Sequence, residues 1–390
     1  MNFDIYSDDI LLDPPTQRAA YSDRTAWLMA AMSWLAYLPF DKRAGTAQIR
    51  EIAQALSGET DIEAIIAALN KIASPGEGEA GRVKLETKLG DVGFKLIKTI
   101  DVSIGMRVDT QAYIAHIDTA SAESEGRSDM LVLAFRGTQP TRIADLRTDI
   151  EATMTTVDTV DNTPARVHSG FLEAFLAVKD EINTIIRQYP SMPVYITGHS
   201  LGGALAVVAA RYLANRSEGA CYTYGCPRVC NYAFAQQIYT PLYRVVNASD
   251  GVPAVPLPGW AMKALTWLVM RSDWTKWLAK PFEGMSDYDH FGYQRHLSNT
   301  SRVKPDTGPA EFPGLKVRSN PTIWERFSGF TTGRIGLLER LMTPLRDHDI
   351  STYTEKLAWH ALERHRRRLA LNTTAPSNAN ENTASDTSSQ

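Results

Sequence analysis

The segment VYITGHSLGGALA, residues 194–206, constrains the fold of this chain more than any other. Four residues of strand-forming type precede a G-x-S-x-G pattern centred on Ser200, and a run of small and apolar residues follows it. This order predicts a strand, a tight turn and a helix. The turn leaves room only for glycine two residues to either side of the serine, and it holds the serine hydroxyl at the carboxyl edge of a sheet.

The same alternation of strand and helix extends to both sides of this segment. Short β-branched and aromatic runs predict strands, and longer runs with a helical apolar period predict helices. The strands are expected between 94 and 135 and at 194–197, 221–225 and 243–247, and the helices at 171–189 and 201–214. Such alternation is typical of an α/β fold with a mainly parallel central sheet and helices on both faces.

The 390 residues divide by composition into three parts. Residues 1–80 carry helical patterns at 23–38 and 46–72, end in a glycine-rich turn or linker at 74–81, and are expected to pack on the main domain as an N-terminal helical segment. Residues 81–371 form the α/β domain, with an insertion at 256–287. Residues 372–390 are polar, with no large apolar side chain, and are expected to be disordered.

Charge and cysteine content exclude several classes of function. Lys and Arg total 41 and Asp and Glu total 44, for a net charge of −3. A chain so balanced lacks the basic excess that binds phosphate backbones, so no nucleic-acid partner is expected. The three cysteines, Cys221, Cys226 and Cys230, have neither the number of a disulfide framework nor a histidine or cysteine pair to complete a metal site.

The N-terminal residues MNFDIYSDDILLDPP are acidic, whereas a signal peptide begins with basic residues. The longest apolar run, residues 26–37, is shorter than the about 20 residues that span a membrane. These features predict a soluble, cytoplasmic protein, with export by a route without a leader left open.

Beyond the serine motif, the chain resembles the fungal-type triacylglycerol lipases, also called class 3 lipases, which have the α/β-hydrolase fold. The matching blocks appear in the family's order over roughly residues 90–300: AFRGT, DLRTDIEA, VHSGFLEAF, GHSLGGALA, YTYGCPRVCN and RVVNASDGVPAVP. Cys226 and Cys230 depart from the family pattern, which has smaller residues there. Both departures are expected to affect packing more than activity.

Ser200 needs a base and a carboxylate to act as a nucleophile. The fold places them in the order serine, acid, histidine. Asp250 directly follows the predicted strand YRVVN, and the family's acid stands at the matching position. Asp250 is therefore expected to be the acid of the triad.

The base is chosen from the histidines after Asp250. His348, in RDHDISTY, resembles the family's D-H-x-[hydrophobic]-x-x-Y element and precedes a predicted helix, so it is the expected base. His290 is the principal alternative, although it lies in a segment where the family's histidine is usually not the catalytic one. The other candidates are His296, His360 and His365.

An ester attacked by a serine forms an oxyanion, which preorganised amide donors stabilise. One donor is the backbone N–H of Leu201, the residue after the nucleophile. Family resemblance places the second donor at Thr138, the last residue of AFRGT, just after a predicted strand. A hydroxyl, an imidazole and backbone amides suffice for this chemistry, so no metal or organic cofactor is implied.

Residues 256–280 carry four of the eight tryptophans, interleaved with Lys and Arg: Trp260, Trp267, Trp274 and Trp277. The first three are seven residues apart, which puts them on one side of a helix with about 20° drift per step. Two interpretations remain open. Residues 260–280 form either a helix packed on the core or a lid that touches a lipid surface, with tryptophan at the headgroup boundary.

The resemblance and the residues together predict a serine carboxylester hydrolase that acts on lipid esters, as triacylglycerol lipases do, through an acyl-enzyme. The alternatives are a phospholipase A1-type enzyme, another acyl esterase or thioesterase, and a catalytically silent lipid-binding module of the same fold.

Overall fold

The computed structural model describes residues 9–12, 20–40, 76–104, 108–117, 129–137, 154–213, 218–256, 287–305, 309–319, 321–322 and 346–374. Four predicted features lie outside these residues: the helical stretch 46–72, the oxyanion residue Thr138, nearly all of the insertion and the tail from residue 375.

The described chain alternates helices and strands. Its α-helices are α1 (Asp9–Leu12), α2 (Asp23–Leu35), α3 (Gly76–Gly90), α4 (Ser169–Ile186), α5 (Leu201–Leu213), α6 (Tyr232–Ala235) and α7 (Ile350–Thr374). Its strands are β1 (Phe94–Ile104), β2 (Val108–Ile117), β3 (Leu131–Phe135), β4 (Met154–Val160), β5 (Thr163–His168), β6 (Val194–His199), β7 (Cys221–Tyr224), β8 (Leu242–Asn247), β9 (Tyr293–Leu297) and β10 (Val317–Arg318).

Eight of these strands form one sheet in the order β1-β2-β3-β6-β7-β8-β9-β10. The pairs from β3 to β9 are parallel, and antiparallel pairs lie at both edges. Strands β4 and β5 form a separate hairpin. The predicted α/β-hydrolase architecture, a mainly parallel sheet flanked by helices, is confirmed. Because β6, β7 and β8 are parallel, the loops after them open at one edge of the sheet.

The alternation of side chains along the central strands explains why both faces carry helices. On β6, Tyr195 packs in a cluster with α2 and α7, whereas Ile196 packs with α4 and α5. Both side chains are almost fully buried, as expected for a parallel strand covered on both sides. The N-terminal helix α2 thus packs directly on the central sheet, beside the C-terminal helix α7.

Helix α3 occupies most of the segment that the sequence predicts to be a linker. Arg82 forms ion pairs with Glu79 and Glu86 along the helix. Glycine is needed at position 81 because the helix passes close to Pro39, and a Cβ there would lie 1.8 Å from the Pro39 carbonyl oxygen. The glycines that suggested a turn therefore include one that permits close contact with the N-terminal segment. Helix α7 also continues to Thr374, past the predicted start of the tail at residue 372.

The three cysteines are buried free thiols. Cys226 packs against the helix after Ser200, because a Cβ added at Gly203 would lie 3.0 Å from its Cβ. Burial raises the pKa of the Cys226 thiol to about 12, so it stays protonated. Among the described helices, none is long and apolar enough to cross a membrane.

Candidate active site

Ser200 lies in the turn between β6 and α5, with a left-handed backbone of φ 57°. Its N–H donates to the Tyr224 carbonyl at 2.9 Å, which ties the turn to strand β7. The flanking glycines are required by close contacts. A Cβ at Gly198 would lie 2.2 Å from the Gly202 carbonyl oxygen, and one at Gly202 would lie 2.4 Å from the Phe135 carbonyl oxygen. A strained non-glycine residue held this way is characteristic of a functional position.

Asp250 and His348 form a buried pair at the same edge of the sheet. His348 Nδ1 lies 3.0 Å from Asp250 Oδ1 and 2.9 Å from Oδ2, and both side chains have zero exposure. A tight turn after β8 places the carboxylate, since the Asp250 N–H donates to the Asn247 carbonyl at 2.8 Å. The Val252 N–H donates to Asp250 Oδ1 at 2.9 Å.

His348 lies in the turn just before α7. Asp349 caps that helix, because its Oδ1 accepts from the Ser351 N–H at 3.0 Å. With Nδ1–H donated to Asp250, the His348 Nε2 is the unprotonated, basic nitrogen. Within the described residues, His348 Nε2 and Ser200 Oγ are both buried and have no hydrogen-bond partner. Neither atom is engaged elsewhere, so both are free to take part in proton transfer between serine and histidine.

His199, the residue before Ser200, connects the nucleophile turn to the histidine. Its Nε2–H donates to the His348 carbonyl at 2.7 Å, and its Nδ1 accepts from the Tyr37 hydroxyl at 2.8 Å. Burial and the neighbouring His348 lower the pKa of His199 well below its usual value, so the ring stays neutral. The His199 and His348 rings lie 4.4 Å apart. The chain therefore brings His348 beside the nucleophile turn through this neutral ring.

The other candidate histidines have different partners. His290 Nε2 binds the Pro253 carbonyl at 2.7 Å, and His296 Nε2 binds the Ala248 carbonyl at 3.0 Å. His360 lies 3.7 Å from Asp23, and His365 lies further along α7. The structure thus brings His348 to Asp250 and places these four elsewhere.

Part of the predicted oxyanion site is visible. Leu201 begins α5 directly after Ser200. Gly137, the residue before Thr138, lies against the nucleophile, because a Cβ there would be 3.2 Å from the Ser200 Cβ. The loop that carries Thr138 therefore leaves β3 beside Ser200, while Thr138 itself lies outside the described residues. No group of three metal-ligating side chains is found in the described part of the chain.

Tyr353 is a site residue that sequence reasoning did not single out. Its hydroxyl donates to Asp250 Oδ2 at 2.5 Å and accepts from the Asn247 N–H at 3.0 Å. Burial raises the pKa of Tyr353 well above its usual value, so the hydroxyl keeps its proton. Tyr353 is the tyrosine of the element that pointed to His348, so a signal for it was present. His199 and Tyr37 gave no such signal, because their contacts join segments distant in sequence.

Replacement of Tyr353 by phenylalanine is expected to lower kcat by about 10- to 100-fold, because a hydrogen bond to a charged group contributes about 1.5–3 kcal/mol. Kinetics on a short soluble ester measure this. Tyr113→Phe is the matched control: it removes another buried tyrosine hydroxyl, which donates to the Met32 carbonyl at 2.8 Å. Equal kcat in the two variants would contradict a role for Tyr353 in holding Asp250.

Three known proteins are similar to parts of this chain. A lipase of Rhizomucor miehei is 36% identical over 178 residues, 42% of this chain and 44% of that protein. The secreted mono- and diacylglycerol lipase 1 of Fusarium solani is 35% identical over 166 residues, 40% and 46% of the two chains. A solved triacylglycerol lipase, described as having a serine protease triad at its catalytic centre, is 29% identical, covers 53% of this chain and 68% of that one, and has a TM-score of 0.37.

The matched part of the chain thus spans less than half the length of each of these two relatives. The predicted cytoplasmic location is wrong on this comparison, because the Fusarium solani relative is a secreted protein by name. The prediction depended on an acidic N-terminal segment, which describes only the first residues of the sequence.

Residues 132–260 match the family model for lipase (class 3). The matched residues include nearly all of β3, the Ser200 turn and Asp250, while His348 lies beyond them. The nucleophile turn and the acid therefore lie in a segment that is similar to the class 3 lipases.

Proposed function

We propose that the chain is a serine carboxylester hydrolase that cleaves lipid esters through a triad of Ser200, Asp250 and His348. The observation that carries this proposal is the buried Asp250–His348 pair beside the strained turn of Ser200. In this arrangement His348 Nε2 and Ser200 Oγ have no hydrogen-bond partner. A hydroxyl, an unprotonated imidazole nitrogen and a buried carboxylate in this order are the elements of nucleophilic acyl transfer.

The reaction has two acyl-transfer steps. In the first, His348 Nε2 accepts the Ser200 proton while Oγ attacks the ester carbonyl, and the same proton then passes to the departing alcohol, leaving an acyl-enzyme. In the second, His348 deprotonates a water that attacks the acyl-enzyme, and the fatty acid leaves as Ser200 regains its proton. Asp250 stabilises the imidazolium formed in each step.

The developing oxyanion receives donors from two places. The backbone N–H of Leu201 lies at the start of α5, where the helix dipole also favours negative charge. Thr138 supplies the second donor in this proposal, since Gly137 before it already lies against Ser200. Removal of one such donor typically costs about 10²–10³ in kcat.

Lipid esters are the proposed substrates because the relatives are named lipase and mono- and diacylglycerol lipase. A phospholipid acyl chain, another acyl ester and a thioester would use the same triad. The decisive experiment compares hydrolysis of a triacylglycerol, a diacylglycerol, a phospholipid and a p-nitrophenyl ester, together with fluorophosphonate labelling of Ser200. Labelling that is lost in Ser200→Ala, with fastest turnover on the acylglycerols, is the expected result. No labelling and no hydrolysis would instead indicate a silent lipid-binding module.

We further propose that the tryptophan-rich insertion touches the lipid surface. Replacement of Trp267 and Trp274 by serine is then expected to reduce hydrolysis of emulsified substrate strongly and to leave a short soluble ester almost unaffected, because aromatic rings favour the headgroup boundary. A helix packed on the core behaves differently, since each large cavity costs about 3–5 kcal/mol and affects all substrates. Equal losses on both substrates with a large drop in Tm would contradict the lipid contact.

A further inference from the structure

A lysine is buried beside the triad and takes no part in the mechanism above. Lys356 lies on α7 and is 3% exposed, whereas lysine is almost never fully buried unless it is paired. Its Nζ donates to the Asn247 Oδ1 at 2.7 Å and to the Ser298 carbonyl at 3.1 Å. The ammonium also lies 5.9 Å from the centre of the Phe312 ring. Lys356 is therefore held by specific contacts, and its shortest hydrogen bond is to Asn247, the last residue of β8.

The Asn247 side chain connects Lys356 to the turn that carries His348. The lysine ammonium can only donate, so it fixes Asn247 Oδ1 towards itself and Nδ2 away. That Nδ2 donates to the Asp347 carbonyl at 2.9 Å, directly before His348. The Asn247 side chain is fully buried, so an inverted amide would leave Lys356 and the Asp347 carbonyl without their partners.

Asp347 closes a second link between the two loops. Its Oδ2 accepts from the Ser249 N–H at 2.9 Å, directly before Asp250. The acid loop, residues 247–250, and the base turn, residues 347–348, are thus joined by two hydrogen bonds besides the Asp250–His348 pair. One uses the amide that Lys356 orients, and the other uses a carboxylate close enough to Lys356 for the two charges to attract each other.

We propose that Lys356 is a positioning residue of the triad. It orients Asn247 and balances the charge of Asp347, and so holds Asp250 and His348 at hydrogen-bond distance from each other. This inference rests on the proposed serine hydrolase function and adds a residue to it. The contacts of the ammonium are with Asn247, Ser298 and Phe312 rather than with the triad, so it acts through Asn247 and Asp347.

The charge of Lys356 makes this role dependent on pH. Burial lowers the pKa of Lys356 to about 8, and Asp347 partly opposes that shift. Burial also raises the pKa of Asp347, while Lys356 lowers it. The groups that the ammonium contacts, which are the Asn247 amide, the Ser298 carbonyl and the Phe312 ring, carry no charge. His296 and Asp250 lie further along the acid loop, where they bind the Ala248 carbonyl and His348.

Above pH 8 the ammonium loses its proton, and the Asp347 carboxylate loses the cation that balances it. We therefore expect kcat to fall as pH rises through about 8. The contribution of Lys356 to the free energy of unfolding changes in the opposite direction. The folded pKa lies below the ordinary value, so the unfolded chain binds more protons between pH 8 and about 10.5, and this residue's contribution to stability rises with pH there. The titration of Lys356 therefore gives no loss of stability that could account for a fall in kcat over that range.

The test compares pH profiles of kcat on a short p-nitrophenyl ester for wild type, Lys356→Gln and Lys356→Met. Glutamine keeps a donor without a titrating charge, so the inflection near pH 8 should disappear with a modest loss of kcat. Methionine removes both donor and charge, and kcat should fall by about 10- to 100-fold, as displacement of a catalytic group by about 1 Å does, with KM little changed.

Thr354→Val is the matched control for loss of stability. Thr354 is fully buried on the same helix, and its hydroxyl donates only along the helix, to the Ile350 carbonyl at 2.9 Å. We expect this variant to lower Tm and to keep the wild-type pH profile. An inflection near pH 8 that persists in Lys356→Gln, or a kcat loss in Thr354→Val equal to that in Lys356→Met, overturns the inference. A wild-type chain that neither hydrolyses the ester nor labels at Ser200 overturns the proposed function itself.

Discussion

Replacement of Ser200, Asp250 or His348 by alanine, one at a time, is expected to lower kcat on a soluble ester by about 10⁴–10⁶-fold, because removal of one triad member typically has effects of that size. The physical reason is that the three groups perform one proton transfer. Asp250 holds His348 through Nδ1, which leaves Nε2 free to accept the Ser200 proton. Without any one of them, Oγ remains a neutral hydroxyl, which is a poor nucleophile.

The triple variant should be little slower than Ser200→Ala or His348→Ala alone, because residues that act as a unit are not additive. His290→Ala is the matched control, since it removes a partly buried histidine that binds the Pro253 carbonyl at 2.7 Å rather than Asp250. If His290→Ala abolished turnover while His348→Ala kept it, the base would be assigned to the wrong residue. Circular dichroism melting of each variant separates loss of chemistry from loss of fold.

The parts of this site that could be predicted from the sequence are those with a local signature. Ser200 is marked by two glycines and by the strand and helix around it, all within thirteen residues. Asp250 follows a strand directly, and the parallel order of strands puts that strand end at the same edge of the sheet as Ser200. The central strands and the helices after them were predictable for the same reason, because their apolar periods are short and regular.

Contacts between distant segments were not predictable. His348 is 98 positions from Asp250, and only the resemblance to a family element pointed to it. The roles of His199, Tyr37 and Lys356 depend on which group of a distant segment lies opposite each side chain, and one sequence does not contain that information. Helix α3 was missed for a related reason: Gly81 suggests a turn, yet it serves a close contact with Pro39 in a segment distant along the chain.

Gly225 lies so close to Asp250 and His348 that it leaves no room for a side chain. The residue follows β7 and has a left-handed φ of 56°. Its N–H donates to the Val245 carbonyl at 3.1 Å, which holds it against β8. A Cβ at this position would lie 2.6 Å from Asp250 Oδ2 and 2.8 Å from His348 Nδ1. Both atoms belong to the pair that orients the imidazole, so an added methyl group cannot be accommodated without moving them.

Gly225→Ala is therefore expected to lower kcat by about 10²-fold or more, since a displacement of about 1 Å at the reacting groups has an effect of that size. It should also lose about 1–2 kcal/mol of stability to the left-handed backbone alone. Gly314→Ala isolates the second effect, because Gly314 has a φ of 78° and a Cβ there would meet nothing within 4 Å. Measured together, the two variants should lose comparable stability from backbone strain, while only Gly225→Ala loses turnover. Similar kcat values for both would mean that the pair of Asp250 and His348 tolerates a methyl group between β7 and β8, and that its geometry is less constrained than the contacts at Gly225 imply.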